Sequence, residues 1–395
     1  MSPTVLLWLI SGCLMLQPLS TDFYLASLPH LAGYFSASTA AVQQTLSLFV
    51  AGFGTAQLVS GPLSDRYGRR PLQLWGLAIY ALASIACGLA PSLPFLVLAR
   101  FVQAVGCCTA VVVARAVIRD TYPPAEGARM FAKASALLSL APILGPIAGG
   151  YLQVSFGWRA AFVVMTLLCI FLAYASRRWL KETNTERNPE AIRPSSLLRI
   201  YGRIAGTPVF WAYALPGALS YASIFVFISG SSVVLIKVLG VPTQYYGYCF
   251  AFGVSGYLAG TLVCHRLLGR IGLERAVDLG ATLSLLAGLL FAGLVAAGFQ
   301  HWSVVLVCQF LTMAAHGINF PCAQAGAVAP FPQQAGAAAG LLGFFTMLSA
   351  FLAGTWVGIS HDGTLGPLAW TSASVGVCLF AAARLSAHRR NPAAG

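Results

Sequence analysis

The chain has 395 residues, of which 58% are hydrophobic and 8% are charged, and its formal net charge is +13. Soluble domains carry roughly 25% charged residues, so this composition excludes a water-soluble globular protein. We predict an integral membrane protein, for which lipid is the solvent around most of the chain.

Apolar segments divide the chain into twelve predicted membrane-spanning helices, because crossing the hydrocarbon takes about 20 apolar residues. Six precede a polar stretch and six follow it. The predicted spans are 4–31, 40–60, 72–91, 94–118, 129–154, 157–179, 208–237, 243–268, 275–298, 302–323, 334–359 and 366–387. The fold class is therefore an all-α membrane protein with two pseudo-symmetric six-helix bundles, at 1–180 and 207–390, joined by a linker at 181–206. The first span lacks the basic start of a signal peptide, so we expect it to be retained.

Basic residues set the predicted orientation. With a cytoplasmic N-terminus, 20 of the 23 Lys and Arg lie in or beside cytoplasmic loops, and Arg100, Arg159 and Lys237 are the exceptions. This asymmetry predicts that both termini and the 181–206 linker are cytoplasmic. It also accounts for the net charge, so we expect no nucleic-acid partner.

The two halves repeat weakly. A shift of 204 positions sets "RYGRRPLQLWG" (66–76) against "RIGLERAVDLG" (270–280) and brings Gly52 onto Gly256. Chance identity between glycine-rich segments is the alternative. Two parallel six-span halves are the organisation of many secondary transporters.

Three polar or glycine-rich motifs interrupt the apolar pattern. "GPLSDRYGRRP" (61–71) predicts a tight cytoplasmic turn between two spans, or simply a basic loop. "RFVQAVG" puts Arg100 and Gln103 on one face of the fourth span, where an arginine is costly unless it faces a cavity, finds partners or snorkels to the interface. "LAPILGPIAGGYL" (140–152) combines kink-forming prolines with glycines that let a helix approach closely, as general helix packing also would.

Of the ten acidic residues, only Asp22 could lie within the membrane. A carboxylate removed from water takes up a proton more readily, and intramembrane acids are candidates for function. The alternative is that the first span ends near Leu19 and Asp22 belongs to an outer loop.

These motifs, together with "DFYLASLP" at residues 22–29, resemble the major facilitator superfamily and, within it, the Bcr/CflA subfamily of drug/proton antiporters. Phe23 and Ala26 depart from that pattern, and Gly106 stands displaced from the glycine expected after Gln103. The resemblance implies that Asp22 faces a central cavity as the proton site and that Arg100 is tied to proton transfer. It also implies export rather than uptake, from the glycine motif of the fifth span. The motif residues concerned there are Gly145, Pro146, Gly149 and Gly150.

In the same family the 61–71 turn works as a latch. The resemblance implies that Asp65 sits against the eleventh span and pairs with Arg69, which reaches Asp120. Gly269 replaces the aspartate in the second half, so we expect a one-sided latch. The latch residues are Gly61, Asp65, Arg66, Gly68, Arg69, Arg70 and Asp120.

Substrate contacts are expected from polar and aromatic side chains within the spans, because ligand sites combine aromatic walls with a few polar groups. For His316 a packing role is equally open. The candidates are Tyr24, Gln43, Gln44, Gln57, Gln103, Tyr221, His316 and Asn319.

The expected function is proton-coupled export of small organic molecules by a monomer in the bacterial inner membrane. Related branches export amphenicols, bicyclomycin, sulfonamides or purine nucleosides, and no residue separates them. The chain has no HExxH, GxSxG or Walker-type motif, and no CxxC pair among its ten cysteines, so we expect neither an enzyme nor a metal or cofactor site. The rival interpretations are a proton-coupled importer and a membrane-embedded enzyme or channel.

Overall fold

The computed structural model describes residues 2–185 and 187–390, without the side chains of Pro124, Ala125 and Ala128; Met1, Glu186 and residues 391–395 lie outside this part. The described residues form helices and short connections, with no strand among them. The first half contains α1 (Pro3–Leu25), α2 (Leu28–Tyr34), α3 (Thr39–Tyr67), α4 (Arg69–Gly88), α5 (Leu93–Thr121), α6 (Pro124–Leu138), α7 (Ala141–Phe156) and α8 (Arg159–Trp179). The linker carries a 3₁₀ turn (Pro189–Ile192) and α9 (Pro194–Ala205). The second half contains α10 (Pro208–Ser232), which continues into a π-helical segment (Val233–Val238), then α11 (Thr243–Ala296), α12 (Trp302–Val328), a 3₁₀ turn (Pro332–Gln334), α13 (Ala335–Ser360), α14 (Gly366–Leu385) and α15 (Ala387–Arg390).

Within the described residues, eleven helices are long and apolar enough to cross a membrane. Helix α11 has 54 residues, which at 1.5 Å per residue gives about 80 Å, more than twice the roughly 30 Å of hydrocarbon. Its backbone leaves the helical region at Gly272, between the predicted spans 243–268 and 275–298. Helix α11 therefore supplies two spans, and the all-α fold with twelve spans is confirmed.

Two predicted spans are interrupted in the structure. The first, 4–31, is divided because α1 ends at Leu25 and α2 begins at Leu28, with Pro29 in its first turn. The fifth, 129–154, consists of α6 and α7, which a short break at Ser139 and Leu140 separates. Proline near the start of each new helix explains both breaks, because its fixed φ suits a first turn and its missing N–H cannot continue the preceding helix.

The outer surface of the bundle is apolar, as lipid contact requires. Trp75, Phe171 and Leu352 are 67%, 61% and 59% exposed. In contrast, polar side chains such as Gln103 and Asn319 are fully buried between helices. A soluble protein would avoid so large an exposed apolar surface.

The internal repeat is visible in the backbone. Gly68 has φ 101° and Gly272, which the 204-residue shift aligns with it, has φ 77°. Residues other than glycine rarely adopt such values. Both halves therefore use the same left-handed turn after their second span.

The aligned pair Gly52 and Gly256 supports the repeat through packing. A Cβ atom on Gly52 of α3 would lie 2.7 Å from the carbonyl oxygen of Phe101 in α5. A Cβ atom on Gly256 of α11 would lie 2.2 Å from the carbonyl oxygen of Phe310 in α12. Each glycine thus allows the corresponding pair of helices in its half to come into close contact.

The two halves meet where α3 packs on α13 and α7 packs on α11. We call the end of the bundle that carries the 61–71 turn and the linker the linker end. There the hydroxyl of Tyr201 in α9 donates a hydrogen bond to the carbonyl of Leu58 in α3, at 2.7 Å. At the opposite end, Nε2 of His30 in the first half lies 3.2 Å from the hydroxyl of Thr243 in the second, so a side-chain contact joins the two halves there.

Candidate functional site

Asp22 lies inside α1, which continues beyond Leu19 to Leu25. Its side chain is buried, with 4% of the residue exposed. The hydroxyl of Thr21 donates a hydrogen bond to Oδ1 of Asp22 at 2.9 Å. The carboxylate therefore belongs to a helix long and apolar enough to span a membrane, rather than to a loop that follows it.

The glycine motif of α7 is the surface against which Asp22 packs. A Cβ atom on Gly145 would lie 2.9 Å from Cβ of Asp22, and one on Gly149 would lie 2.5 Å from the carbonyl oxygen of Phe23. These separations are shorter than side chains allow, so α1 and α7 touch backbone to backbone beside the carboxylate. The segment at residues 22–29 and the glycine motif at 140–152 thus form one contact.

The other face of the same α7 segment contacts the second half. A Cβ atom on Gly150 would lie 3.0 Å from the carbonyl oxygen of Thr243, at the start of α11. One on Gly247 would lie 2.3 Å from Cα of Ile147 and 2.5 Å from the carbonyl oxygen of Pro146. Residues 145–150 are therefore held between α1 and α11, at the junction of the two halves.

Arg100 lies in the core of the first half, fully buried in α5. Its guanidinium carbon is 4.3 Å from the ring centre of Phe49, 4.9 Å from that of Tyr24 and 5.9 Å from that of Phe162. Three aromatic rings from three other helices thus surround the cation. Such contacts contribute about 2 kcal/mol when they are desolvated.

Hydrogen bonds hold the Arg100 guanidinium within these rings. Nη1 donates to Oε1 of Gln103 at 2.6 Å, and Nε2 of Gln103 donates to the hydroxyl of Ser84 at 2.7 Å. The Tyr24 hydroxyl donates to that of Thr45 at 3.0 Å. Nη2 of Arg100 has no hydrogen-bond partner within residues 2–185 and 187–390. Arg100, Gln103 and Tyr24 therefore form one network.

His316 centres an aromatic group in the second half. Its ring lies 4.9 Å from Phe320, in a stacked arrangement, and 5.9 Å from Tyr221 and 5.7 Å from Tyr257. Nδ1 of His316 is 2.9 Å from the hydroxyl of Ser220. The predicted candidates His316 and Tyr221 are thus brought together.

The remaining substrate candidates are dispersed. Asn319 donates to the carbonyl of Val277 at 2.9 Å and is fully buried, so it joins α12 to α11. Gln43 donates to the carbonyl of Ser229 at 3.2 Å and connects the two halves. Gln44 is half-buried on α3, and Gln57 faces α13 near the linker end.

Charged side chains converge at the 61–71 turn. Nη1 of Arg69 is 2.6 Å from Oδ1 of Asp65, and Nε of Arg69 is 2.7 Å from Oδ2 of Asp120. Arg66 lies over the ring of Tyr67. A Cβ atom on Gly61 would meet no atom within 4 Å. The pairing that the resemblance implied among Asp65, Arg69 and Asp120 is present in the geometry.

Glu182, in the linker, is a member of this cluster that the sequence did not single out. Its carboxylate accepts hydrogen bonds from the backbone N–H groups of Arg69 at 2.8 Å, Arg70 at 3.2 Å, Thr183 at 3.0 Å and Asn184 at 2.9 Å. Burial raises the pKa of Glu182, but these four donors outweigh it and leave the pKa below its ordinary value. Glu182 therefore caps the N-terminus of α4 from outside the helix.

The second half closes its equivalent turn differently. Nη2 of Arg390 is 2.6 Å from Oδ1 of Asp278, and Nη1 donates to the carbonyl of Glu274 at 3.2 Å. A charged residue that follows the last span of each half thus binds the start of that half's third span. The charge is acidic in the first half, at Glu182, and basic in the second, at Arg390.

Comparison with known proteins assigns the family. The model of the Major Facilitator Superfamily matches residues 10–354. The chain belongs to this superfamily. The curated relatives include a bicyclomycin resistance protein homolog of Haemophilus influenzae, 27% identical over 92% of this chain and 91% of that protein. Multidrug resistance protein MdtL of Escherichia coli is 26% identical over 92% of this chain and 87% of its own length. The resemblance to the Bcr-type drug transporters is confirmed.

Solved structures show the same fold. A bacterial homolog of the human lysosomal transporter Spinster, in an inward-facing and unoccupied conformation, has a TM-score of 0.74 at 17% identity, over 98% of this chain and 97% of that one. A D-xylose-proton symporter has a TM-score of 0.72 at 15% identity, over 97% and 96%. The chain is therefore a major facilitator transporter with multidrug-resistance relatives.

Proposed function

We propose that this transporter exports small organic molecules in exchange for protons, by alternating access, from the cytoplasm across a bacterial inner membrane. The observation that carries the proposal is the place of Asp22: a buried carboxylate packed against the α7 segment that also contacts α11. A proton taken up or lost there changes the charge beside the junction of the two halves. That is the position from which protonation can alter how the halves pack.

In the proposed cycle Asp22 takes a proton from the outer side after the substrate has left. The neutral side chain tolerates the packed α1–α7 contact better than the charged one, because burying an ion is costly. The protonated carrier then faces inward, and substrate binding releases the proton to the cytoplasm. We assign Arg100, which is buried in the core of the first half with Nη2 unpaired among the described residues, the role of tuning this release, as the family resemblance implies.

The 61–71 turn is the proposed inner latch. Arg69 joins the ends of α3 and α5 through Asp65 and Asp120, and Glu182 ties the same turn to the linker. These contacts hold the cytoplasmic ends of the first half together. Across a cleft, Asp65 and Arg69 face the first turns of α13 at Gly336, Ala339 and Gly340, so we propose that the latch engages α13 when the inner side closes.

Because relatives are named for bicyclomycin and multidrug resistance, the first substrate class to test is drugs, including amphenicols and sulfonamides. Export of purine nucleosides is the second candidate, because the stacked rings of His316 and Phe320, with Tyr221, could hold a planar base. In this proposal the protein acts as a monomer in the lipid bilayer. The proton gradient drives transport, and no cofactor is needed.

The test uses inverted membrane vesicles whose lumen has been acidified by respiration. We expect bicyclomycin, chloramphenicol or adenosine to release protons from vesicles that contain the protein. The Asp22→Asn variant should abolish this release, whereas Asp362→Asn, at an exposed loop carboxylate, should leave it unchanged. Proton release that persists in Asp22→Asn would refute the assignment, and substrate-driven proton uptake would indicate an importer.

A further inference from the structure

A cleft of about 210 Å³ lies at the linker end, between the two halves. Helices α3 and α5 of the first half, α13 of the second and α9 of the linker form its walls. It is separate from the surroundings of Asp22 and from the rings around His316, whose residues do not line it. Its polar lining is Gln57, Ser64, Asp65, Arg69, Arg115, Arg119 and Tyr201.

Two arginines face this cleft from one side. Arg115 and Arg119 are four residues apart on α5, which puts them on the same helix face, one turn apart. Both are exposed and line the cleft. A Cβ atom on Gly336 of α13 would lie 3.5 Å from Nη1 of Arg119, so this guanidinium reaches across to the second half.

Neither arginine forms a close ion pair with another described residue. Within the described part of the chain Arg119 forms one ion pair, with its neighbour Asp120 at 3.6 Å, and 61% of its side chain is exposed. Arg115 makes no ion pair and no side-chain hydrogen bond to any other described residue. By contrast, Arg69 at the same cleft is buried between Asp65 and Asp120 and is neutralised by them. The cleft therefore keeps an excess of positive charge on α5.

The opposite wall leaves room for a ligand. It consists of Gly336, Ala339 and Gly340, in the first turns of α13, where the helix dipole is positive. The ring of Tyr201 is held in the wall by its hydrogen bond to Leu58.

We infer that this cleft binds the anionic group of a small organic molecule, a carboxylate, sulfonate or phosphate, between Arg115 and Arg119. Guanidinium groups suit such anions because their planar N–H donors match two oxygens at once. Drug-sized pockets measure roughly 300–1,000 Å³, so the cleft holds only the charged end of the molecule. The inference rests on the proposed export function and extends its substrates to organic anions collected at the cytoplasmic side.

The probes are 4-nitrobenzoate and 4-nitrobenzamide, which have nearly the same shape and differ in charge. Binding is measured calorimetrically on the full-length protein in phosphatidylcholine nanodiscs, without a proton gradient. We expect the benzoate to bind more tightly than the benzamide, and we expect its affinity to fall as the salt concentration is raised. Arg119→Gln and the double variant Arg115→Gln/Arg119→Gln should bind it at least about tenfold more weakly, because charge-assisted hydrogen bonds are lost.

The matched control is Arg266→Gln, an exposed arginine near the end of the first segment of α11 and outside the cleft. Equal weakening in Arg266→Gln, or unchanged binding in Arg119→Gln, would overturn the inference. So would loss of benzoate binding when phosphatidylglycerol replaces phosphatidylcholine, because a lipid headgroup would then fill the cleft. Asp22→Asn should retain benzoate binding, so failure of the export mechanism is distinguished from failure of the anion site.

Discussion

Replacing Gly149 with alanine should separate α1 from α7. The new Cβ atom would lie 2.5 Å from the carbonyl oxygen of Phe23, 2.8 Å from its Cα and 2.9 Å from its carbonyl carbon. All three are backbone atoms, so no change of side-chain rotamer can relieve the overlap. Ordinary contact begins near 3.4 Å, and the two helices must therefore part by about 0.9 Å, the difference between 3.4 and 2.5 Å.

Overpacking of this kind costs about 1–3 kcal/mol. That range lowers the ratio of folded to unfolded protein by a factor of about 5 to 150. Because Asp22 precedes Phe23, the same displacement moves the carboxylate away from Gly145. We therefore expect Gly149→Ala to lower both the thermal unfolding temperature and substrate-driven proton exchange.

The control is Gly293→Ala. Gly293 is exposed near the end of α11, and a Cβ atom there would meet no atom within 4 Å. Alanine is favoured over glycine in a helix by about 0.5–1 kcal/mol, so this variant should unfold at a slightly higher temperature. Thermal unfolding of both variants in one detergent tests the reasoning. Equal shifts of the same sign, or an unfolding temperature for Gly149→Ala that matches the native protein, would refute it.

Two further variants test the polar networks. Glu182→Ala should destabilise the fold by about 1 kcal/mol at neutral pH, because four backbone N–H groups lose their acceptor at a partly exposed site. The pKa of Glu182 lies below its ordinary 4.5. Its contribution to the free energy of unfolding is therefore complete above pH 4.5 and is lost as the pH falls through the folded-state pKa. The unfolding temperatures of the native protein and the variant should converge in acid, and a difference that stays constant with pH would contradict this. Arg100→Lys keeps the charge but loses the bond from Nη1 to Gln103 and the planar contacts with the rings, so it should lower stability by about 1–3 kcal/mol; an unchanged unfolding temperature would show that these contacts contribute little.

Hydropathy was sufficient to predict the all-α fold with twelve spans. Each span is a continuous apolar segment in the sequence because lipid contacts it. The left-handed turn requires glycine in both halves, so Gly68 and Gly272 align when the halves are superposed in sequence. The break between α1 and α2 was missed because Ala26 and Ser27 do not lower the hydropathy enough to mark it. Glycines at positions 145 and 149 indicated close packing, but not that Asp22 was the partner.

Only part of the candidate site could be predicted from the sequence. The spacing of Arg100 and Gln103 predicted their contact, since residues three apart share a helix face. The rings around Arg100 come from helices far apart in sequence, and no local pattern identifies them. Glu182 was hidden for a related reason, because it binds backbone N–H groups of a helix that begins 113 residues earlier. Asn319 was predicted as a substrate contact because it is polar within a span; its side-chain amide donates to the backbone of a neighbouring helix, a partner that the sequence did not indicate.

The turns at Gly68 and Gly272 show that backbone shape and side-chain chemistry are independent in this fold. Both turns have the same left-handed geometry, but only the first carries the pair of Asp65 and Arg69, and Gly269 stands at the aspartate's place in the second. A scaffold that is symmetric in its bends is therefore asymmetric in its charges. Different ion pairs hold the two turns, Arg69 with Asp65 and Asp120 in the first half and Arg390 with Asp278 in the second, so the same movement of the two halves would break different contacts.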